Sequence, residues 1–399
     1  MGASANPEDS TLRISTDDLD RTLVQSTEAV SKGRAKSLMG DAGLEAEAPK
    51  VPGYVFVSPL GRGAYAQVWK AIHQRSGKQV ALKVFLDQAG VNWLMLQREV
   101  ERLIRLDKHP NIVSLLDADL GHNPAYYVMD LLEVGSLEHL VRSGEAVEVH
   151  RGVKWMGEIC EALVYVHGKG MIHCDLKPAN VLRDDMDHVR VADFGQSRIL
   201  SDSGTTLGTL YYMAPEQAIV AEAEGAHPTP QWDIFALGMT MYALFTGRVP
   251  RGDFSRGLQE AVTLKERLEK YRMIINRWPL RSVRDITRGR VNEDLSAIVA
   301  KCIESDPVKR YAKTEDILDD LARMRASRPV SPKARSRVYR TKKLVRRNRL
   351  AVGILAAASV IVATMMVQLN IQMKLRAYEQ QRNQELRQAQ AHQMHRYDK

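Results

Sequence analysis

A long, mainly apolar run late in the chain is the feature that most constrains the architecture. Residues 350–369, LAVGILAAASVIVATMMVQL, contain no charged side chain. Twenty helical residues at about 1.5 Å each span about 30 Å, the thickness of the hydrocarbon core of a bilayer. A buried core helix is the alternative, but such helices are seldom apolar on every side. The run therefore predicts one transmembrane helix.

The charges around this run predict its orientation. No acidic residue occurs between Asp320 and Glu379, and residues 333–349 contain nine of the 57 Lys and Arg residues. Basic residues after the run are fewer and more dispersed. The positive-inside rule then places residues 1–349 in the cytoplasm and the C-terminal tail outside a cell membrane that is crossed once. We assign the net charge of +9 to contact with a membrane surface and not to nucleic-acid binding.

Small residues within the run favour close packing of two helices. Gly353 and Ala357 are four positions apart, and so are Ser359 and Ala363. This small-xxx-small spacing lets helix backbones approach each other in a membrane. A homodimer is a possible consequence, although the same spacing arises readily by chance in alanine-rich spans.

Composition divides the chain into segments. A hydrophobic content of 44% suits a globular core, and three widely spaced cysteines without a C-x-x-C pair argue against disulfides and zinc. The predicted segments are a disordered tail over 1–50, a folded domain over 51–325, a basic juxtamembrane linker over 326–349, the transmembrane helix over 350–369 and a short Gln-rich tail over 370–399, for which a coiled coil is one alternative.

The folded domain changes from strand-like to helical patterning along the chain. Short β-rich runs broken by glycine occupy residues 54–84, and helical spacing dominates afterwards. The first such helix carries five apolar residues on one face, Trp93, Leu96, Val100, Leu103 and Ile104. The sequence predicts an α+β fold with a β-rich N-terminal lobe and a helical C-terminal lobe.

A glycine-rich turn lies between the first two predicted strands. In LGRGAYAQV, residues 60–68, Gly61 and Gly63 let backbone N–H groups approach phosphates. A plain β-hairpin is the alternative for this turn taken alone. Lys83 lies in a later β-rich run, VALK, where a lysine needs an anionic partner. Glu99 in the following helix is the candidate, and such a pair would hold Lys83 against a nucleotide.

Further polar residues occur at fixed offsets in MIHCDLKPANVL and VADFGQSR. Asn180 and Asp193 offer the oxygen ligands that Mg²⁺ prefers. Asp175 is then available to accept a proton from a hydroxyl nucleophile, and Lys177 to neutralise charge on a transferred phosphoryl group. A solvated loop charge explains any one of these residues alone, but not all of them in this order.

Together these motifs resemble the eukaryotic-type serine/threonine protein kinases that bacteria anchor in their membranes. GRGAYAQV, VALK, HCDLKPAN, DFG, APE and DPVKRY follow one another in the order of that family over residues 54–325. The resemblance implies a bilobal protein-kinase-like fold, ATP and Mg²⁺ as cofactors, and proteins with Ser or Thr hydroxyls as substrates. DLKPAN and Thr209 match the serine/threonine branch.

The resemblance also implies roles for individual residues. Asp175, Lys177, Lys83 and Glu99 would be catalytic, and Asn180 and Asp193 would bind the metal. The implied nucleotide-binding residues are Leu60, Gly61, Arg62, Gly63, Ala64, Tyr65, Ala66, Gln67, Val68, Ala81, Lys83, Met129, Asp130, Leu132 and Leu182. The implied supporting residues are the stack of Leu103, Leu115, His173 and Phe194, the pair Glu216 and Arg310, and Asp233 as a brace for the catalytic loop.

Two positions depart from the family pattern. Ala66 replaces a third glycine, with little expected effect. Cys174 replaces the arginine that usually precedes the catalytic aspartate, and we expect a small half-buried filler rather than a redox sensor. Without that positive charge, phosphates on Ser201, Ser203, Thr205 or Thr206 are not expected to be required for activity.

Two other functions stay open as alternatives. A nucleotide-binding pseudokinase scaffold is disfavoured by the intact Lys83, Asp175 and Asp193. A small-molecule phosphotransferase of related fold is disfavoured by the APE segment and Thr209, which shape a peptide-binding surface in the family.

Overall fold

The computed structural model describes residues 49–397 except 63–65, 86–92, 107, 195–209, 221–226, 255–256, 259 and 262. The predicted tail 1–50 therefore lies almost entirely outside the described residues. The chain divides into two compact units, Met1–Ala322 and Arg323–Lys399, which are treated separately below.

The first unit begins with an antiparallel five-stranded sheet in the order β1-β2-β3-β5-β4. Its strands are β1 (Tyr54–Arg62), β2 (Ala66–His73), β3 (Gln79–Phe85), β4 (Leu115–Asp119) and β5 (Ala125–Asp130). Alternate residues of β2 are buried, as expected for a strand with one face on the core. Trp69 and Ala71 on that face pack with Leu82 and Val128. The predicted β-rich N-terminal lobe is confirmed.

One helix, α1 (Trp93–Arg105), follows the third strand. Its described side chains Leu96, Val100 and Leu103 are buried, but Ile104 is 42% exposed. Each residue turns the helix by about 100°, so Ile104 lies at the edge of the predicted apolar face, where neighbouring elements cover it less. The side chain of Trp93 lies outside the described ones.

The rest of the first unit is mainly helical, which confirms the predicted C-terminal lobe. The helices are α2 (Glu138–Arg142), α3 (Val149–Gly168), α4 (Pro215–Val220), α5 (Pro230–Thr246), α6 (Leu264–Arg277), α7 (Val283–Ile286), α8 (Glu293–Cys302) and α9 (Glu315–Arg325), the last of which ends in the second unit.

Helix α5 is the centre of this lobe. All its residues from Trp232 to Phe245 are buried, as expected for a helix that is apolar on every side. Pro230 at its first position fits the helix because proline lacks only an N–H that would be unpaired there. Gly247 ends the helix in the left-handed conformation, with φ 65°.

A small three-stranded sheet lies next to this helical core and positions the candidate site. It consists of β6 (Gly135–Ser136), β7 (Val181–Arg183) and β8 (Val189–Val191) in that order. A short 3₁₀ helix, Pro178–Asn180, leads directly into β7. Because β7 and β8 are antiparallel, the residues that precede β7 and those that follow β8 lie at the same end of these strands.

The second unit contains helix α10 (Arg337–Arg347) and the 49-residue helix α11 (Arg349–Tyr397). Helix α10 lies within the segment predicted as a linker, and α11 runs without a break through residues 350–369 into the predicted tail. The stretch Arg349–Gln388 is long and apolar enough to cross a membrane, and no residue of its most apolar part is buried within the protein. This exposure disfavours the core-helix alternative. The predicted segment boundaries themselves stay predictions.

The close packing of α5 on α8 yields a prediction for Gly238→Ala. A Cβ at position 238 would lie 2.6 Å from Cys302 Cβ and from Ile303 Cγ2, closer than real Cβ contacts. We expect the substitution to lower the free energy of unfolding by about 1–3 kcal/mol, because the overpacked helices must separate.

Gly157→Ala in α3 is the matched control, because nothing lies within 4 Å of a Cβ there. It should raise the free energy of unfolding by about 0.5–1 kcal/mol through helix propensity. Urea unfolding of both variants measures the difference, and equal effects would contradict close packing at Gly238.

Candidate active site

A buried carboxylate on α5 holds the loop that carries the candidate catalytic residues. Asp233 is fully buried and accepts hydrogen bonds from the backbone N–H groups of His173 and Cys174, each at 2.9 Å. His167 Nε2 lies 2.8 Å from the same carboxylate. A buried charge needs such donors to offset its lost hydration. The predicted bracing contact of Asp233 with the loop is confirmed.

Cys174 is buried within this loop. Its φ of 68° is in the left-handed region, and Gln217 Nε2 donates to its carbonyl at 2.9 Å. Burial, and after it the Asp233 carboxylate, raises the pKa of the Cys174 thiol well above its usual range. Because thiolates are the reactive form, the protonated and buried thiol supports the expected role as a filler.

The three polar residues of the loop contact one another. Lys177 Nζ lies 2.8 Å from Asp175 Oδ2, and Asn180 Nδ2 donates to the same oxygen at 3.1 Å and to the Asp175 carbonyl at 2.8 Å. Asp175 N–H in turn donates to His173 Nδ1 at 3.2 Å. Hydrogen bonds to both its side chain and its backbone therefore hold Asp175 in place, next to the positive charge of Lys177.

Asp193 follows β8 and meets the β-rich lobe. Its Oδ1 lies 2.9 Å from Lys83 Nζ on β3 and accepts from the Tyr127 hydroxyl on β5 at 3.4 Å. Burial by itself would raise the pKa of Asp193, but the Lys83 ammonium outweighs it, and the pKa lies below its usual value. Asp193 is therefore an anion at neutral pH, held between the two lobes.

The donor set fits a divalent cation that prefers oxygen. Ala192 N–H donates to the Asn180 carbonyl at 2.8 Å, so Asn180 and Asp193 lie at neighbouring strand ends. Asn180 uses its amide N–H groups on Asp175. Its amide oxygen and the Asp193 carboxylate are thus the groups suited to bind Mg²⁺.

Several of the predicted nucleotide-binding residues lie on both sides of the junction between the lobes. Ala81 on β3 pairs with Met129 on β5, and Val68 on β2 pairs with Lys83. Met129 and Leu182 pack against one cluster of buried side chains, formed by Val113, Leu132 and Ala192. These predicted nucleotide-binding residues thus come from β2, β3 and β5 of the first sheet and from β7 of the small sheet.

Other predicted nucleotide-binding residues are less directly placed. Leu60, Gly61 and Arg62 are exposed at the end of β1, and Ala66 is half-buried at the start of β2. The Gln67 side chain accepts a bond from Trp69 Nε1 at 3.1 Å, and the Asp130 side chain pairs with Lys78. Only the backbone of Gln67 and Asp130 is then suited to nucleotide contact.

Several predictions fall outside what the structure describes. Gly63, Ala64 and Tyr65 lie outside the described residues, and so do Thr209 and the four hydroxyl residues between 201 and 206. The side chain of Glu99 is likewise outside the described ones, so its proposed pairing with Lys83 stays a prediction.

The predicted stack of supporting residues is partly visible. The His173 and Phe194 rings lie 4.8 Å apart, and Leu103 and Leu115 line one small cavity with Met129.

Sequence reasoning missed three polar residues of the site. Tyr127 and Gln217 make the bonds given above, and Arg102 Nη1 lies 3.5 Å from the Phe194 carbonyl. No motif singles out any of the three.

The predicted pair of Glu216 and Arg310 is confirmed. Nη1 and Nη2 of Arg310 donate to the two Glu216 carboxylate oxygens at 2.6 and 2.8 Å. The other three hydrogen bonds of the guanidinium go to backbone carbonyl oxygens. Nε donates to the carbonyl of Glu304 at 2.7 Å, Nη1 to that of Gln231 at 2.9 Å and Nη2 to that of Ser305 at 3.2 Å. All five N–H groups of the guanidinium are thereby satisfied.

Comparison with known proteins agrees with this geometry. The family model for the protein kinase domain matches residues 54–320. The chain is 30% identical to a probable serine/threonine-protein kinase PknB of Lactococcus lactis subsp. lactis over 278 residues, which cover 67% of this chain and 41% of that protein. It is also 30% identical to PrkC of Bacillus subtilis over 276 residues, 67% of this chain and 40% of the relative. The matches thus span about 40% of the length of these relatives.

The bonding of Arg310 predicts a large effect for Arg310→Lys. A lysine has three donors and no planar fork, so it leaves buried carbonyls and part of the Glu216 carboxylate unpaired. We expect the free energy of unfolding to fall by about 1–3 kcal/mol, the range for leaving a buried hydrogen-bonding group unpaired.

Arg142→Lys makes the same chemical change at an exposed pair with Glu138 on one turn of α2. The free energy of unfolding should then change by no more than about 0.5 kcal/mol. Chemical unfolding of both variants tests the comparison. Similar losses at the two positions would show that the buried bonds of Arg310 contribute little.

Proposed function

The chain belongs to the protein kinase family, and from that premise we propose that it is a serine/threonine protein kinase anchored in a membrane. Its reaction would transfer the γ-phosphoryl group of ATP to Ser or Thr hydroxyls of proteins. The observation that carries the proposal is the convergence of Asp175, Lys177, Asn180, Asp193 and Lys83 at the junction of the lobes.

The proposed mechanism assigns one task to each residue. Asp175 orients the substrate hydroxyl and accepts its proton, while Lys177 beside it stabilises negative charge on the transferred group. Asn180 and Asp193 would hold Mg²⁺, which neutralises phosphate charge when bound. Lys83 would position the phosphates of ATP, in partnership with Glu99. Most of the catalytic effect then comes from positioning and electrostatics.

The specificity for proteins rests on a different part of the site. Glu216 in α4 is held by Arg310, which fixes the segment that forms a peptide-binding surface in the family. This feature favours a protein kinase over a small-molecule phosphotransferase. The pseudokinase alternative is disfavoured because both acids of the site keep a basic partner, Asp175 with Lys177 and Asp193 with Lys83.

Anchoring by α11 is the second part of the proposal. The nine basic residues before the apolar run support an orientation with the kinase domain in the cytoplasm and the tail after Leu369 on the other side of the cell membrane. A homodimer through Gly353 and Ala357 stays a prediction from their spacing.

The kinase proposal predicts that Asp175→Asn stops phosphoryl transfer while ATP still binds. The amide cannot accept the hydroxyl proton, and loss of a general base typically costs about 10²–10⁴-fold in rate. Transfer of radiolabelled phosphate to a basic protein and calorimetric titration with Mg-ATP measure the two properties. Asp185→Asn, at an exposed position in the turn between β7 and β8, is the control and should keep its rate within about twofold. A variant at position 175 that keeps a tenth of the rate would remove Asp175 from the role of base.

The orientation proposal predicts the result of proteolysis on intact cells. Protease added from outside should remove only residues after Leu369, because the bilayer shields the kinase domain. Permeabilised cells are the control, in which the domain should be digested as well. Cleavage within residues 51–325 of intact cells, with a cytoplasmic marker protein preserved, would reverse the orientation.

A further inference from the structure

A groove in the second unit lies beside α10. It has a volume of about 470 Å³, and the residues that matter here are Arg337, Arg340, Thr341, Lys343, Leu344 and Arg347. Four of these six residues are basic, and none is acidic. The kinase reaction proposed above makes no use of this groove.

Helical spacing explains why these side chains meet. Arg337, Arg340, Leu344 and Arg347 are separated by three, four and three residues, so they form one stripe along α10. Tyr339 faces another direction and is buried, and its hydroxyl accepts a bond from Val330 N–H at 3.2 Å. This contact fixes the rotation of α10 and therefore the direction of the arginine stripe.

The chemistry of the stripe selects an anion with several oxygen atoms. Arginine binds phosphate oxygens through a planar fork, and the Thr341 hydroxyl adds a further donor. No acidic residue occurs between Asp320 and Glu379, so the surrounding sequence strengthens the attraction of the groove for anions.

Apolar side chains accompany the arginines. Leu344 lies within the stripe, and Val338 and Val345 on the same helix are also exposed. A free phosphate ion gains nothing from these side chains, whereas a lipid has both a phosphate group and acyl chains. A basic helix with exposed apolar residues is typical of the interface between water and a bilayer.

The position of α10 in the chain agrees with a lipid ligand. The helix ends at Arg347, Asn348 has non-helical angles of φ −111° and ψ 41°, and α11 begins at Arg349. Only Asn348 thus separates the end of the arginine stripe from the candidate membrane span. We propose that the groove binds the phosphate headgroup of an anionic lipid in the leaflet at which α11 starts. The proposal rests on the membrane anchoring proposed above.

The test compares two triple variants of the full chain, purified in detergent. One variant, R337Q/R340Q/R347Q, removes three charges from the groove. The other, R335Q/K342Q/R346Q, removes three charges from the same segment at positions that do not line the groove. Native mass spectrometry with added phosphatidylglycerol or phosphatidylcholine measures the affinity for each lipid.

We expect the groove variant to bind phosphatidylglycerol at least tenfold more weakly than the parent chain, and the control variant to stay within threefold. The parent chain should also prefer phosphatidylglycerol to phosphatidylcholine. Equal losses in the two variants would overturn the site in favour of general charge attraction. Displacement of the lipid by millimolar inorganic phosphate would overturn the lipid ligand in favour of a soluble phosphate.

Two further measurements separate the possible failures. R337K/R340K/R347K keeps the charges but loses the planar forks, and we expect an affinity between those of the parent chain and the groove variant. Affinity equal to that of the parent would contradict phosphate binding by arginine forks. Alkaline extraction of membranes tests anchoring independently. Extraction of the chain at alkaline pH would refute the anchoring. If the chain is retained but the parent chain, the groove variant and the control variant bind phosphatidylglycerol with equal affinity, only the groove is refuted.

Discussion

The active-site geometry depends on a single buried carboxylate. Asp233 brings an anion into the buried first turn of a mostly apolar helix, a costly arrangement unless hydrogen bonds compensate it. The compensation comes from two consecutive backbone N–H groups of the catalytic loop and from His167. The left-handed conformation of Cys174, directly after these two N–H groups, then sets the direction in which the chain continues to Asp175. The carboxylate therefore holds the loop, and the backbone turn at Cys174 places Asp175.

A second constraint is the pairing of each acid with a lysine. Lys177 neutralises Asp175 from within the loop, whereas Lys83 reaches Asp193 from the other lobe across 110 residues of sequence. Exposed ion pairs contribute little to stability. Lys177, Asp175 and Lys83 are largely shielded from water, whereas the Asp193 side chain is 36% exposed. Charges interact more strongly where they are shielded. The pair of Lys83 and Asp193 thus serves as an electrostatic link between the sheet and the helical lobe. Such a link is suited to position charged ligands at the junction.

Much of this arrangement could be predicted from short motifs, because the motif residues contact one another. The family resemblance implies the Glu216–Arg310 pair and the brace at Asp233, and both are present. The carbonyl partners of Arg310 were not predictable, since any residue type supplies a carbonyl and only the folded backbone brings Glu304 and Ser305 to the guanidinium. Ile104 shows a different limit. Its apolar character fits the buried stripe of α1, but packing, not hydrophobicity, decides which edge of a stripe is covered.

The cysteine at position 174 illustrates how one departure from a family pattern is accommodated. The position requires a left-handed backbone and lies against the Asp233 carboxylate, so a thiolate there would add a second anion. Burial and this neighbouring charge keep the thiol protonated, which removes the conflict. The guanidinium of Arg102 acts in the opposite direction on the thiol pKa, and it also lies 3.5 Å from the carbonyl of Phe194. A positive charge is therefore present near the loop, but it belongs to α1 instead of the residue before Asp175. Any shift of α1 would then change the electrostatics of the loop and the position of Phe194 together, because one arginine side chain contributes to both.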